Sequence, residues 1–402
     1  MTPTGKDSGP IGLGIVGLGM AGAVMVHAAA DHPDFVIKAG ADPHQGPRAA
    51  FASDHNARAY EDVGMLVRDP AVAVVYIATP HQFHAEHAVL AAEHGKHIIL
   101  EKPMALTLAE CDVIQAAVER HKVHLIIGHT HAFDPAVRLM RDIIAGGELG
   151  KLGLIHSFNY TNYLYRPRRP EELDTSLGGG ILFNQVPHQI DTARLLGGGL
   201  VRSVRASTTR LDPARPTEAS CAALLQFNNG ATASLIYSGY DHFDSDEWHF
   251  GLSERGASKK IEHGAARRAL AKAQGLAQDE TKARTETFAY GAASGELPPH
   301  QPHFGVTIVT CAEGDMRAVA DGVTIYDRDG MRQVAIPRGG SMPGRREVLD
   351  DMRVAIRSGN PPVHNGRWGK ATVEVALAIL QSARDGREVV LEHQVAVDGS
   401  GG

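Results

Sequence analysis

The chain has 402 residues, with 46 Asp and Glu against 40 Lys and Arg for a net charge of −6. This length exceeds what one hydrophobic core usually supports, so two domains are expected, and the mild acidity argues against a nucleic-acid surface, which needs clustered Lys and Arg. Three widely spaced cysteines, Cys111, Cys221 and Cys311, form no CxxC pair; they argue against a disulfide scaffold or zinc site and fit a reducing cytoplasm.

The stretch Ile11 to Ala30 is apolar enough to resemble a signal peptide. It lacks a basic leader, however, and its glycines would weaken an inserted helix. No other stretch is long enough to span a bilayer, so neither a membrane nor a nucleic-acid partner is expected. From Ile11 onward strands and helices alternate: a strand to Val16, a helix Ala21–His32, a strand Phe35–Ala41, then Ala73–Ala78, a helix after Pro80, Lys96–Leu100, a helix Leu108–His121 and Val123–Gly128. This βαβ rhythm predicts a doubly wound parallel sheet over residues 1–128.

After Asp134-Pro135 the rhythm changes. A helix is expected at Ala136–Ala145, then strands at Leu152–Tyr163, Val201–Arg210, Ala219–Phe227 and Ala231–Ser238, with one helix, Phe183–Leu196, between them. The pattern predicts an α+β domain with a large, mostly antiparallel sheet over 129–396, serving substrate binding and oligomerisation, and a flexible tail at 397–402. The segment 257–286, rich in Ala, Lys, Arg and Glu, reads as a solvated helical insertion. Two more helices are expected at Arg345–Arg357 and Lys370–Asp385.

Gly17-x-Gly19-Met20-x-Gly22 follows a strand and opens a helix, the context in which this pattern binds a dinucleotide: the glycines let backbone approach a pyrophosphate at a helix amino terminus. Asp42 ends the second strand, where a carboxylate can accept from an adenosine ribose and repel a 2'-phosphate. NAD is therefore preferred over NADP. Thr79-Pro80 turns the chain toward the cofactor, and His81, His84 and His87 follow on one helix. Without an H-E-x-x-H pattern they read as histidines near a cleft rather than metal ligands. His129 and His131 end a strand and are expected to face the same cleft.

Glu101-Lys102-Pro103 closes another strand. A lysine there, partly desolvated beside a cationic ring, has its pKa pushed toward working pH and can accept a hydroxyl proton; a surface pair with Glu101 is the bland alternative. Gly178-Gly179-Gly180 introduces a helix carrying Asn184 and His188 four apart, which suggests a substrate platform.

Together, G-x-G-x-x-G, E-K-P and G-G-G…H-x-x-D resemble the Gfo/Idh/MocA family of nicotinamide-dependent oxidoreductases over most of the chain. The resemblance implies an N-terminal Rossmann domain, proton transfer by Lys102 and His188, and a cofactor held by Gly17, Gly19, Met20, Gly22, Asp42, Thr79, Pro80, His84, Glu101 and Lys102. Where the family usually has Asp, this chain has Asn184. The segments His129-Thr130-His131, Asn159–Glu172 with Tyr160 at its start, His242–Trp248 and Gly314–Arg317 resemble the family's phthalate 4,5-cis-dihydrodiol (4,5-dihydroxyphthalate) dehydrogenase branch.

On that reading Tyr160, His131, Asn184 and His188 meet the substrate, and Arg166 or Arg168 in Arg166-Pro167-Arg168-Arg169-Pro170 grips its carboxylate, since guanidinium binds carboxylates in a two-pronged way. A neutral Asn184 would avoid repelling a dianion, a repulsion worth roughly 4 kcal/mol at 4 Å and intermediate dielectric. The expected reaction is NAD-dependent oxidation of a carboxylated ring cis-diol. A sugar or cyclitol dehydrogenase, a non-catalytic NAD-binding sensor and a redox-cycling lyase or hydrolase are the alternatives. A homodimer or homotetramer is expected, because an open sheet exposes an apolar face.

Overall fold

The computed structural model describes residues 9–128, 130–275, 279–287, 290, 298–337 and 342–397. The chain forms two compact units. One comprises Met1–His129, Thr287–Glu296 and Gly340–Gly369; the other comprises Thr130–Glu286, Leu297–Gly339 and Lys370–Gly402.

The first unit runs β1 (Ile11–Val16), α1 (Met20–Ala30), β2 (Phe35–Ala41), α2 (Gln45–His55), β3 (Arg58–Tyr60), α3 (Val63–Val67), β4 (Val74–Ile77), α4 (His84–Glu93), β5 (His97–Leu100), α5 (Leu108–His121) and β6 (Leu125–Ile127). The strands lie in the order β3-β2-β1-β4-β5-β6, and every neighbouring pair is parallel. Val74–Ile77 and Ile98–Leu100 are wholly buried, the apolar run required of strands covered on both faces. The winding reverses between β1 and β4, so their carboxyl ends open the crevice where such sheets take ligands. The alternation agrees with the sequence, which gave no sign of α2, β3 or α3. In α2 only Phe51 is buried, too little for a hydrophobic period to show.

The second unit runs α6 (Pro135–Gly146), β7 (Leu152–Tyr160), α7 (Ile181–Asn184), α8 (Val186–Gly197), β8 (Val201–Thr209), β9 (Ser220–Phe227), β10 (Thr232–Ser238), α9 (Ala265–Gly275), α10 (Glu280–Thr287), β11 (Val306–Cys311), β12 (Gly314–Val319), β13 (Gly322–Asp327) and β14 (Gly330–Ala335). α11 (Arg345–Ser358) returns to the first unit and lies against α1; α12 (Gly366–Asp385) and β15 (Val389–Val390) end the chain's regular structure. The nine strands are ordered β14-β13-β12-β11-β7-β10-β9-β8-β15, with β7–β10 the one parallel pair. α8 lies on β7 and β10 and is buried along its whole length.

Three expectations for this unit change. Four strands, β11–β14, occupy a stretch whose apolar pattern is faint; every residue of β14 but Val334 is exposed, so cross-strand pairing rather than burial makes it a strand. The helix expected over Phe183–Leu196 is broken at Gln185, whose φ of −120° and ψ of −53° leave helical space, and Pro187 sits in the first turn of the next helix. The insertion at 257–286 is not simply solvated. Ala266 and Leu270 pack on the buried cluster of Leu164, Tyr165, Ala219 and Tyr240, while Glu280 and Arg284 pair with Arg215 and Glu172. Of the expected tail, Val397 bonds the Gly198 carbonyl and 398–402 lie outside the described residues. Among the described residues no helix is long and apolar enough to cross a membrane.

Candidate active site

In the first unit, three loops leave the carboxyl ends of the adjacent strands β1, β4 and β5. Gly17 has φ +89°, and a Cβ there would lie 2.6 Å from the Ala78 carbonyl oxygen; a Cβ at Gly22 would lie 2.0 Å from that of Gly17. Only glycine lets this turn form and lets α1 pack so near β1. Gly19 precedes the first turn of α1, which begins at Met20 with no side-chain cap and no acidic residue, leaving its N–H groups for an anion. The Leu18 amide donates to Asp42 Oδ2 at 2.9 Å, so the carboxylate is anchored beside the turn. His44 approaches Asp42 Oδ1, and Arg48 donates to the Asp42 and Pro43 carbonyls. This glycine cradle, uncapped helix start and fixed carboxylate fit a dinucleotide.

His84 ties the other two loops together. It is fully buried, with Nδ1 2.8 Å from the Pro103 carbonyl and Nε2 3.0 Å from that of Thr79. Burial lowers its pKa even though both carbonyls favour a proton on the ring. Next to it His87 Nδ1 bonds Thr79 Oγ1, so these two histidines tie the loops together. Among the described residues no group of three His, Cys, Asp or Glu is arranged to hold a metal. Lys102 is half-buried, and its amide donates to Glu101 Oε2. The buried Glu101 carboxylate accepts from Tyr76 at 2.5 Å, which fixes the strand end carrying the lysine.

In the second unit His188 lies on α8 within an aromatic group. Its ring centroid is 4.9 Å from that of His131 and 4.8 Å from that of Phe304. His131 is held by Asp134, 2.6 Å from Nδ1, and faces Glu254, 3.4 Å from Nε2. Burial depresses its pKa, but the two carboxylates outweigh that and raise it to about 9. Desolvation would raise the Glu254 pKa, but the hydrogen bond and charge of His131, then the charges of Arg166 and Arg255, hold it well below the usual carboxylate range, so it stays ionised. One turn after His188, Asp191 accepts from Thr130 and Thr372, so the motif's aspartate holds the loop that presents His131. A cavity of about 20 Å³ beside His131 is lined with polar groups including Asp134, Ser157, Gln189, His249 and His303.

The other expected contacts divide. Arg166 is half-buried and donates to Asn162, and its charge acts on Glu254 and Tyr237. Arg168 turns inward instead. It stacks on Tyr163 and bonds the Tyr163 carbonyl and Glu172, so a buried cation with these partners is structural. Tyr160 falls with Phe158 on the face of β7 opposite Ser157 and Asn159, against Phe243. Tyr237 stacks on Phe304 and bonds Gln185 and Thr161. Asn184 donates its amide to the Gly178 and Gly180 carbonyls at 3.1 and 2.8 Å, tying down the glycine triplet. The break at Gln185 also removes the shared helical face with His188. His129 lies outside the described residues.

Sequence reasoning missed Asp134, Glu254, Tyr237 and Phe304. The first had a usable signal, since His131-x-x-Asp134 repeats the spacing of His188-x-x-Asp191. Glu254 and Phe304 come from irregular segments whose only clue is the fold.

A profile described as an oxidoreductase family with an NAD-binding Rossmann fold matches residues 11–129, and one for the GFO/IDH/MocA C-terminal domain matches 137–252. The chain is 37% identical over 380 residues to a 1-carboxy-3-chloro-3,4-dihydroxycyclohexa-1,5-diene dehydrogenase of Comamonas testosteroni, covering 92% of this chain and 94% of that one. It is 33% identical to the rhizopine catabolism protein MocA of Rhizobium meliloti over 49% of this chain and 61% of that protein. Among solved structures, a Bordetella bronchiseptica RB50 protein assigned as a dehydrogenase without a named substrate superposes with a TM-score of 0.91 at 45% identity, over 95% of this chain and all of that one. A levoglucosan dehydrogenase bound to NADH and levoglucosan shares the fold, with a TM-score of 0.73 at 21% identity over 96% of this chain and 100% of that one. On these grounds the chain belongs to the Gfo/Idh/MocA family of oxidoreductases and is a dehydrogenase with an NAD-binding Rossmann fold.

Proposed function

We propose that this enzyme oxidises a carboxylated ring cis-diol, a cyclohexadiene diol of the phthalate 4,5-cis-dihydrodiol type, with NAD as the partner. A bound nicotinamide dinucleotide supplies the two-electron acceptor at the glycine turn and Asp42. Lys102 and His188 take the proton from the reacting hydroxyl as the carbinol carbon loses its hydride. Arg166 holds the substrate carboxylate; Arg168, expected beside it, is buried against Tyr163 and Glu172. The ketone formed from a cyclohexadiene diol tautomerises to a catechol, which drives the reaction forward.

The observation that carries this reading is the similarity, over nearly the whole of both chains, to an enzyme whose named substrate bears both a carboxylate and a vicinal diol on a diene ring. The half-buried Arg166, whose charge acts on Glu254 and Tyr237, supports it, because a partly desolvated guanidinium recognises a carboxylate better than an exposed one.

A panel of carboxylated cis-dihydrodiols, uncharged cis-diols, cyclitols and sugars, followed by NADH absorbance, tests it. The carboxylated diols should give the highest kcat/KM, by at least tenfold over uncharged rings, or about 1.4 kcal/mol. Preference for a cyclitol or sugar would replace the substrate assignment, and turnover without net NADH would replace the reaction.

A further inference from the structure

Each ring nitrogen of His131 faces a carboxylate: Nδ1 lies 2.6 Å from Asp134 Oδ2 and Nε2 3.4 Å from Glu254 Oε1. A neutral imidazole carries one N–H and can serve only one of them; the imidazolium serves both. His131 is 4% exposed and Asp134 is buried as well, so water does not compete for the contact between them. The His188 ring meets this imidazole edge to face, and Phe304 lies against both rings at 4.9 and 4.8 Å between centroids. A charge shielded from water by an aromatic ring acts strongly on its neighbour.

Resting on the assignment of His188 to proton transfer, we propose that His131, clamped between Asp134 and Glu254, is a positioning residue whose permanent positive charge keeps His188 neutral and ready to accept a proton. A second positive charge beside the first is disfavoured, so His188 is held in its basic form to lower pH than an isolated histidine. The raised pKa of His131, about 9, agrees with a cation that persists through neutral pH.

The charged and titratable groups around the pair come from several elements. Asp134 precedes α6, Glu254 and Arg255 lie in the loop ahead of α9, Arg166 follows β7, and His303 precedes β11 with Asp246 beside it. On α8 itself Asp191 is engaged by Thr130 and Thr372. His303 is kept neutral by burial, so among these groups the cation packed directly against His188 is His131.

Histidine-labelled protein, titrated by proton–nitrogen NMR without cofactor or substrate, tests the idea. In the wild type both His131 nitrogens should stay protonated up to about pH 9. In His131→Gln the His188 midpoint should rise by about half a pH unit or more. In Glu254→Gln it should fall, because one of the two anions offsetting His131 is gone while Asp134 keeps the ring charged. Glu254 is 46% exposed, so this variant keeps the fold if His131→Gln does not.

A neutral His131 at pH 7 would overturn the proposal. So would a His188 midpoint that stays or falls in His131→Gln, or stays or rises in Glu254→Gln. The role of His188 itself is tested apart from this: if His188→Asn kept full turnover, the reaction assignment would fall while the coupling measured by NMR stood.

Discussion

The Arg168 guanidinium lies 3.9 Å above the centre of the Tyr163 ring, and its Nε and Nη2 both donate to the Tyr163 carbonyl. One residue thus grips another by side chain and backbone, while the Arg168 amide donates to Glu280 on α10. The two arginines of the proline-flanked loop should therefore separate by phenotype. Arg168→Ala should cost stability, on the order of 2–4 kcal/mol for a buried cation and its hydrogen bonds, visible as a lower denaturation midpoint. Arg166→Ala should leave the midpoint within about 0.5 kcal/mol and raise KM for a carboxylated substrate at least tenfold. If both variants left KM unchanged, the loop would have no part in binding.

Asn184 stands where the family resemblance leads one to expect Asp, and the structure gives a local reason for the amide. Its NH2 group donates to two carbonyl oxygens of the glycine triplet, which an aspartate would instead repel. Asn184→Asp should therefore destabilise the protein by about 2 kcal/mol, measured by urea unfolding, whatever substrate it uses. An unchanged midpoint with a selective loss of dicarboxylate binding would restore the electrostatic reading of this residue.

What the sequence made legible follows from where the physics is local. The glycine turn, Asp42 and the Glu101-Lys102-Pro103 strand end were readable because short-range backbone geometry demands those residues at those spacings. The strands β7 to β10 were readable because their burial alternates, as in β9, where Cys221, Ala223, Leu225 and Phe227 face inward. β11 to β14 were not, although Glu313-Gly314, Asp321-Gly322 and Asp329-Gly330 are hairpin turn pairs that could have marked them. The packing of Tyr237 on Phe304 and the tie from the Arg168 amide to Glu280 depend on contacts tens of residues away, and no local pattern encodes them.

Asp42 is held by the Leu18 amide, so its charge cannot swing away from an incoming ribose. Asp42→Ser should remove the repulsion of a 2'-phosphate, with Arg48, already bonded to the Asp42 carbonyl, at hand to meet it. The ratio of kcat/KM for NAD to that for NADP should fall by at least tenfold, about 1.4 kcal/mol, measured with any turned-over diol. A wild type that already preferred NADP would refute the role given to Asp42.

Glu172 anchors α10 through Arg284 and is itself buried. Burial would raise its pKa, yet the hydrogen bond and charge of Arg284, then the charge of Arg168, bring it down to about 2 from the ordinary 4.5. A carboxyl depressed in the folded state stabilises that state above its unfolded pKa and ceases to do so as pH falls through the folded one. Stability contributed here should be whole above pH 4.5 and drain away toward pH 2, by at most roughly 3 kcal/mol. Urea unfolding at several acidic pH values should show wild type losing more stability over this window than Glu172→Gln. Parallel curves for the two proteins would mean that the pair contributes nothing.

Lys102 owes its place to Glu101, whose buried carboxylate takes one hydrogen bond from Tyr76 and another from the Lys102 amide. The second contact is made by the backbone amide, which any residue at 102 would supply. Lys102→Ala is accordingly expected to lower kcat by 10²–10⁴-fold, the usual worth of a proton-transferring side chain, while the Kd for NAD changes less than threefold. Lys102→Arg should fail to restore turnover, because a guanidinium keeps its proton at any working pH. Stopped-flow turnover together with NAD titration separates the outcomes. A parallel loss of NAD affinity would make Lys102 a cofactor ligand, and retained turnover would leave proton transfer to another group.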